Sequence, residues 1–168
     1  MLRVIFDTNI YGLLIKEKDL YSIQKKICAD KEFIIYGYKP IRKELRNTNK
    51  IKRQGKLKTR NLLLNLYDEL TKGCYSKDSI NIHNLAFKFY KLYRVYGGIC
   101  NWNKSNINID FMIVAYACFY KLYIIISNDA KTLLNKNAQK AYRQICLEEN
   151  LRLPNFWTYS ELKNKYDF

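Results

Sequence analysis

The chain has 168 residues, enough for one domain around one core, and 48% of them are apolar, which excludes a disordered chain. Thirty basic residues against 15 acidic ones give a net charge of +15, which favours a polyanionic partner, either nucleic acid or an acidic membrane surface. Five cysteines without a CxxC pair, and a lone histidine, His83, argue against a zinc site. No run reaches the roughly 20 apolar residues that cross a bilayer, and the N-terminus is too soon acidic for a signal peptide. A single domain over residues 1–168, located in the cytoplasm and not in a membrane, is therefore expected.

In chain order, LRVIF at residues 2–6 is a short apolar run ending at Asp7, and it reads as a buried strand. A helix is expected from about Ile10. A second runs from Leu20 to Ala29, with Ile23 and Ile27 on one face. EFIIY at 32–36 reads as a strand, and Pro40 suits the first turn of the helix PIRKELRN, which carries Glu44. Leu57 to Leu70 reads as helical, with Gly73 just beyond its end. Residues 80–96 form a long aromatic and basic helix ending at Gly97-Gly98. After the polar GICNWNKSN comes an apolar helix over 107–120, with Asp110 in its first turn. LYIIIS at 122–127 is the clearest buried strand, and Asn128-Asp129 stand at its end. A helix near 137–149, a short strand at 155–158 and a last helix capped by Ser160 complete the reading, with Lys163 an imperfect match to a capping box.

Strands alternating with helices predict an α/β fold: three layers, α/β/α, helix-rich, with a central mostly parallel sheet. Sites in such sheets lie beyond the carboxyl ends of the strands. Asp7 and Asp129 stand at such ends, Glu44 lies on the helix after the second strand, and Asp110 opens a helix otherwise devoid of charge. Four convergent carboxylates repel one another, and a hard divalent cation, Mg²⁺ or Mn²⁺, resolves that repulsion with oxygen ligands. Such ions activate water and stabilise the leaving oxygen in phosphodiester cleavage. Each acid also has a plainer reading. Asp7 suits a helix N-cap, Glu44 a solvated helix position, Asp110 a first-turn carboxylate and Asp129 a turn residue.

The segments VIFDTNIYGLLI, PIRKELRN, IDFMIVAYA and IIISNDAKTL, spread from residue 3 to about 134, resemble the four motifs of the PIN-domain ribonucleases, among them the toxin halves of VapBC-type toxin–antitoxin pairs. The resemblance implies a Mg²⁺- or Mn²⁺-dependent endoribonuclease, leaving a 5′-phosphate and a 3′-hydroxyl. Asp7, Glu44, Asp110 and Asp129 match the family's catalytic and metal-holding quartet. Thr8 or Asn9, and Ser127, match positions that support the site by hydrogen bonding. A toxin would bring an antitoxin that wraps it and inserts a basic side chain among the carboxylates, and PIN-like domains often pair as homodimers. The chain is longer than the compact toxins, at residues 46–80 and around 97–106, and Leu133 stands where an aromatic residue often follows the final Asp.

Residues 42–60 carry nine basic residues and one acid, Glu44. Arg42, Lys43, Arg46, Lys50, Lys52 and Arg53 are the candidates for RNA phosphate contacts; the plainer reading is a solvated loop. The helix AFKFYKLYRVY interleaves aromatic and basic residues as base-stacking surfaces do, yet Phe89, Leu92 and Tyr96 recur at the spacing of a core stripe. Two other functions are open. One is a non-catalytic RNA- or partner-binding module on the same scaffold. The other is an aspartyl phosphotransferase of the haloacid-dehalogenase type, which the Asn9 in place of a second acid disfavours.

Overall fold

The computed structural model describes residues 1–49, 51, 53–54, 57–102 and 107–168. Its central element is β1 (Leu2–Phe6), whose Val4, Ile5 and Phe6 are fully buried. β1 lies between β2 (Phe33–Ile35) and β5 (Ile124–Ile126), with β6 (Asn155–Trp157) beyond β5. All three pairings are parallel, so the sheet order β2-β1-β5-β6 is reached by helical crossovers. The three isoleucines of β5 are buried on both faces, as a covered parallel sheet requires. The chain leaves β1 towards β2 and later returns to β5 on its other side. The crevice at this reversal, beyond the carboxyl ends of β1 and β5, is where such sheets hold their sites.

Eight helices are present among the described residues. One group comprises α1 (Thr8–Leu14), α2 (Leu20–Ala29), α3 (Lys39–Arg46), α4 (Thr59–Thr71) and α8 (Tyr159–Tyr166). A second comprises α5 (Ile80–Val95), α6 (Ile107–Phe119) and α7 (Lys136–Glu148). The chain is thus α/β with an all-parallel four-stranded sheet, an arrangement compatible with three α/β/α layers. α6 is buried all round: Phe111, Ile113, Val114, Ala115, Tyr116 and Ala117 have no exposed surface. Phe111 sits among the rings of Tyr90, Tyr93, Trp102 and Tyr142, which ties α6 to α5 and α7. No helix among the described residues is long and apolar enough to cross a membrane.

Several boundaries differ from the sequence expectation for local reasons. The first helix starts at Thr8, not Ile10, because Asp7 takes the N-cap and accepts the Thr8 N–H. The helix expected from Leu57 starts at Thr59, because Leu57–Lys58 (β4) pairs with Arg53–Gln54 (β3) as a short antiparallel hairpin. The last helix is capped by Thr158, not Ser160. Glu161 accepts the Thr158 N–H at 2.6 Å and completes a capping box one register earlier than the one sought at Lys163. On α5 the buried face runs through Ile82, Leu85, Ala86, Phe89 and Tyr93, one step from the stripe expected through Leu92 and Tyr96, which are half-buried. Of the five cysteines, Cys118 and Cys146 are buried and Cys28, Cys74 and Cys100 half-buried.

Candidate metal centre

The register of the sheet builds the site. Phe6 pairs with Ile126, and the Asp7 N–H donates to the Ile126 carbonyl at 2.9 Å, so Asp7 and Ser127 are neighbours one step further on. The Ser127 hydroxyl donates to Asp7 Oδ2 at 2.7 Å. Asp7 Oδ2 also accepts from Asn9 Nδ2 at 2.5 Å, and its Oδ1 from the Thr8 N–H at 2.6 Å. Asn9 holds the opposite strand end too, since its Oδ1 accepts the Asn128 N–H at 3.1 Å. The Asp-Thr-Asn turn thus serves as helix cap and as clamp between β1 and β5.

Glu44 arrives from α3, where Ile41 and Leu45 are buried and fix the helix against the core. The Thr8 hydroxyl donates to Glu44 Oε2 at 2.6 Å. Asp129 lies in the turn after β5, and its N–H donates to Ser127 Oγ at 3.0 Å. Its carboxylate also accepts the Lys131 N–H at 2.9 Å, so the turn reading of Asp129 holds alongside the site reading. Asp110 comes from the first turn of α6. The Thr132 hydroxyl joins these last two: it lies 2.6 Å from Asp110 Oδ2 and also hydrogen-bonds Asp129 Oδ2. One chain of contacts therefore runs Glu44–Thr8–Asp7–Ser127–Asp129–Thr132–Asp110. Sequence reasoning missed Thr132. The available signal was a hydroxyl three residues after Asp129, in a turn where the rest of the chain already converged.

Asp7 is 4% exposed. Burial is the main cause that raises its pKa from 3.8 to about 6, opposed by the bonds from Ser127 and Thr8 and assisted by the charges of Glu44 and Asp129. Asp110 is half-buried overall. Its carboxyl group is pushed well above the ordinary value, first by burial and then by the charge of Asp7, with Asp129 and Glu44 adding to it. These mutual effects place the four acids within one another's fields. The Thr132 hydroxyl has one proton to share between the two carboxylates.

As they stand, no group of three or more His, Cys, Asp or Glu side chains among the described residues is arranged to hold a metal ion. The Thr132 hydroxyl stands between the Asp110 and Asp129 carboxylates, while the hydroxyls of Thr8 and Ser127 each bond one carboxylate, Glu44 and Asp7. The donor chemistry nevertheless fits a hard cation. The set is all oxygen, two members carry raised pKa values, and no Lys or Arg among the described residues pairs with Asp7, Asp110 or Asp129.

The basic residues expected to contact phosphates divide. Arg42 forms two bonds to Asp68, at 2.9 and 2.8 Å, in a partly exposed ion pair. Lys43 lies beside Glu44 on the wall of a cleft, and Arg46 lines a separate shallow groove with Asn47 and Arg60. Lys50 and Lys52, and the side chain of Arg53, lie outside the described residues. Comparison with models of known protein families finds no match, and comparison with curated proteins finds none either.

Proposed function

We propose that this chain is a Mg²⁺- or Mn²⁺-dependent endoribonuclease of the PIN type, with Asp7, Glu44, Asp110 and Asp129 as its catalytic and metal-holding acids. The observation that carries the reading is the single hydrogen-bonded network joining those four residues at the switch point of a parallel sheet. A purely structural role accounts poorly for it. Burying a carboxylate costs stability, and the upward shift of Asp7, caused first by burial and in lesser part by Glu44 and Asp129, is in line with such a cost.

The bound ion would lower the pKa of a water and take up charge on the leaving oxygen. The chain's own residues do the rest. Asp7, lodged between Ser127, Asn9 and the Thr8 N–H, is fixed in one rotamer and supplies a rigid anchor at the strand end. Thr8 orients Glu44 from the opposite side. Thr132 holds Asp110 against Asp129, whose carboxylate is also fixed by the Lys131 N–H, so loss of Thr132 would release Asp110 first. A carboxylate of the set would orient the attacking water in line at phosphorus. The net charge of +15 draws the polyanion to this acidic centre.

The substrate is RNA and the location cytoplasmic in this reading. The toxin role, with an antitoxin placing a basic side chain among the carboxylates, and pairing of two copies go with the same resemblance. End-group analysis of RNA incubated with the protein and Mn²⁺ tests the proposal. New 5′-phosphate and 3′-hydroxyl ends that disappear with Glu44→Gln support it. Ends bearing a cyclic phosphate would overturn it.

A further inference from the structure

A cleft of about 660 Å³ opens between α3 and the beginnings of α5 and α6, with Glu44 on its wall. It therefore adjoins the carboxylates through a member of their own network. Its sides differ in chemistry. On α3, Lys39 and Lys43 stand one turn apart on one face, and both are exposed. Trp102 also lines the cleft, half-buried and held from behind. Its backbone N–H donates to Tyr90 Oη at 3.2 Å, and its ring packs against Phe87, Tyr90 and Phe111 at centroid distances of 5.5, 5.0 and 6.4 Å.

A third wall carries the chain's only histidine. Asp78 is fixed by the Tyr38 hydroxyl at 3.2 Å and by the Ser79 N–H at 3.0 Å, and it holds His83 Nε2 at 2.9 Å. A proton on Nε2 for that bond leaves Nδ1 of the neutral ring as an acceptor. Two lysine ammonium groups, an aromatic surface backed by other rings and an imidazole paired with Asp78 thus line one cleft. Its volume is within the range that encloses a small organic ligand.

Resting on the ribonuclease reading, we infer that this cleft holds one unpaired nucleotide of the RNA beside the scissile phosphodiester. The base lies against Trp102, the phosphates lie on Lys39 and Lys43, and His83 contacts the base or ribose edge. A base that is paired in a duplex cannot enter, so the substrate is single-stranded RNA or an unpaired loop. Two elements that line the cleft, α3 and the start of α5, are held by buried groups: Ile41 and Leu45 on α3 and Ile82 on α5.

The test is binding of a fluorescent single-stranded RNA oligonucleotide, and of the duplex of the same sequence, to the full chain in chelator across a salt series. The single strand is expected to bind more tightly than the duplex. Trp102→Ala should weaken single-strand binding about tenfold. Trp102→Phe, which keeps the ring packing, controls for folding and should fall between the two. Lys39→Gln with Lys43→Gln, both at exposed positions, should reduce the slope of log affinity against log salt by about 1.4, or about 0.7 for each phosphate contact. Equal or tighter duplex binding, no binding to either RNA at low salt, or an unchanged affinity and slope in the variants would overturn the inference. Because chelator is present, the outcome does not depend on cleavage. Strand-selective binding in a protein that cuts nothing with Mn²⁺ would sink the nuclease reading and leave the cleft. Cleavage with unaltered binding in the variants would do the reverse.

Discussion

Replacing Asp7 by Asn should make the metal-free protein more stable at neutral pH. The unfolded carboxyl titrates at 3.8 and the folded one at about 6. Between those values the folded state holds a proton that the unfolded state has lost, so stability falls as pH rises from about 4 to about 6 and stays low above that. At 1.36 kcal/mol per pH unit, the gap corresponds to ~3 kcal/mol at pH 7 and ~0.5 kcal/mol at pH 4. Asn has the same shape and no charge, so it escapes this cost. It loses one acceptor oxygen where Asp7 accepts from Thr8, Asn9 and Ser127, which costs about 1 kcal/mol. The net gain at pH 7 is ~2 kcal/mol, or roughly 4–8 °C in melting temperature for a chain of this size. At pH 4 the gain vanishes or reverses slightly. Thermal and urea melts of both proteins in chelator, from pH 4 to pH 8, measure it. An Asp7→Asn protein less stable than the parent at pH 7, or a gain independent of pH, would refute the account of a buried, repelled carboxylate.

Three further outcomes follow from the same geometry. Thr132→Val keeps the shape of the side chain and removes the hydroxyl between Asp110 and Asp129, so Mn²⁺ affinity by calorimetry and RNA cleavage should both fall about 10- to 100-fold; unchanged metal affinity would count against the bridging role. Arg42→Ala breaks a bidentate pair whose side chains are 40% and 45% exposed, so stability should change by no more than about 1 kcal/mol and the cleavage rate should not change; a large loss of cleavage would place Arg42 in the RNA-binding set. Mn²⁺ at one hundred times its dissociation constant should stabilise the parent by about 2.7 kcal/mol at pH 8 and release protons at pH 6, and the Asp7→Asn protein should show neither effect; equal stabilisation of both would place the ion elsewhere.

The parts of this molecule that were legible in its sequence are those fixed by local pattern. LRVIF, the amphipathic spacing of Ile23 and Ile27, and the three isoleucines of β5 each announce their element, because burial acts on runs of neighbouring residues. Asp7, Asp110 and Asp129 were legible because each interrupts or ends such a run in a chain dominated by basic charge, whereas Glu44, in a basic helix, was legible only by its place after the second strand. Features that depend on distant partners were not. The ion pair of Arg42 with Asp68, 26 residues away, has no local signal in the sequence. Thr132 gains meaning only when Asp110, 22 residues earlier, is brought beside it. The Asp78–His83 pair is local, but its relation to Trp102 and Lys43 comes from the cleft that α3 and the starts of α5 and α6 line together. The misread cap at Ser160 is a failure of another kind, since Thr158 and Glu161 carried a complete capping-box pattern in the sequence itself.

The central claim is that a divalent cation at the four acids drives RNA cleavage, and one experiment addresses it most directly. Labelled single-stranded RNA and structured tRNA are incubated with the parent protein in Mg²⁺, in Mn²⁺ and in chelator, beside an Asp110→Asn variant shown by melting to be folded. The account predicts discrete fragments from the metal-loaded parent and none from the chelated parent or the variant. Cleavage that persists in chelator, or that Asp110→Asn performs as well as the parent, would contradict it.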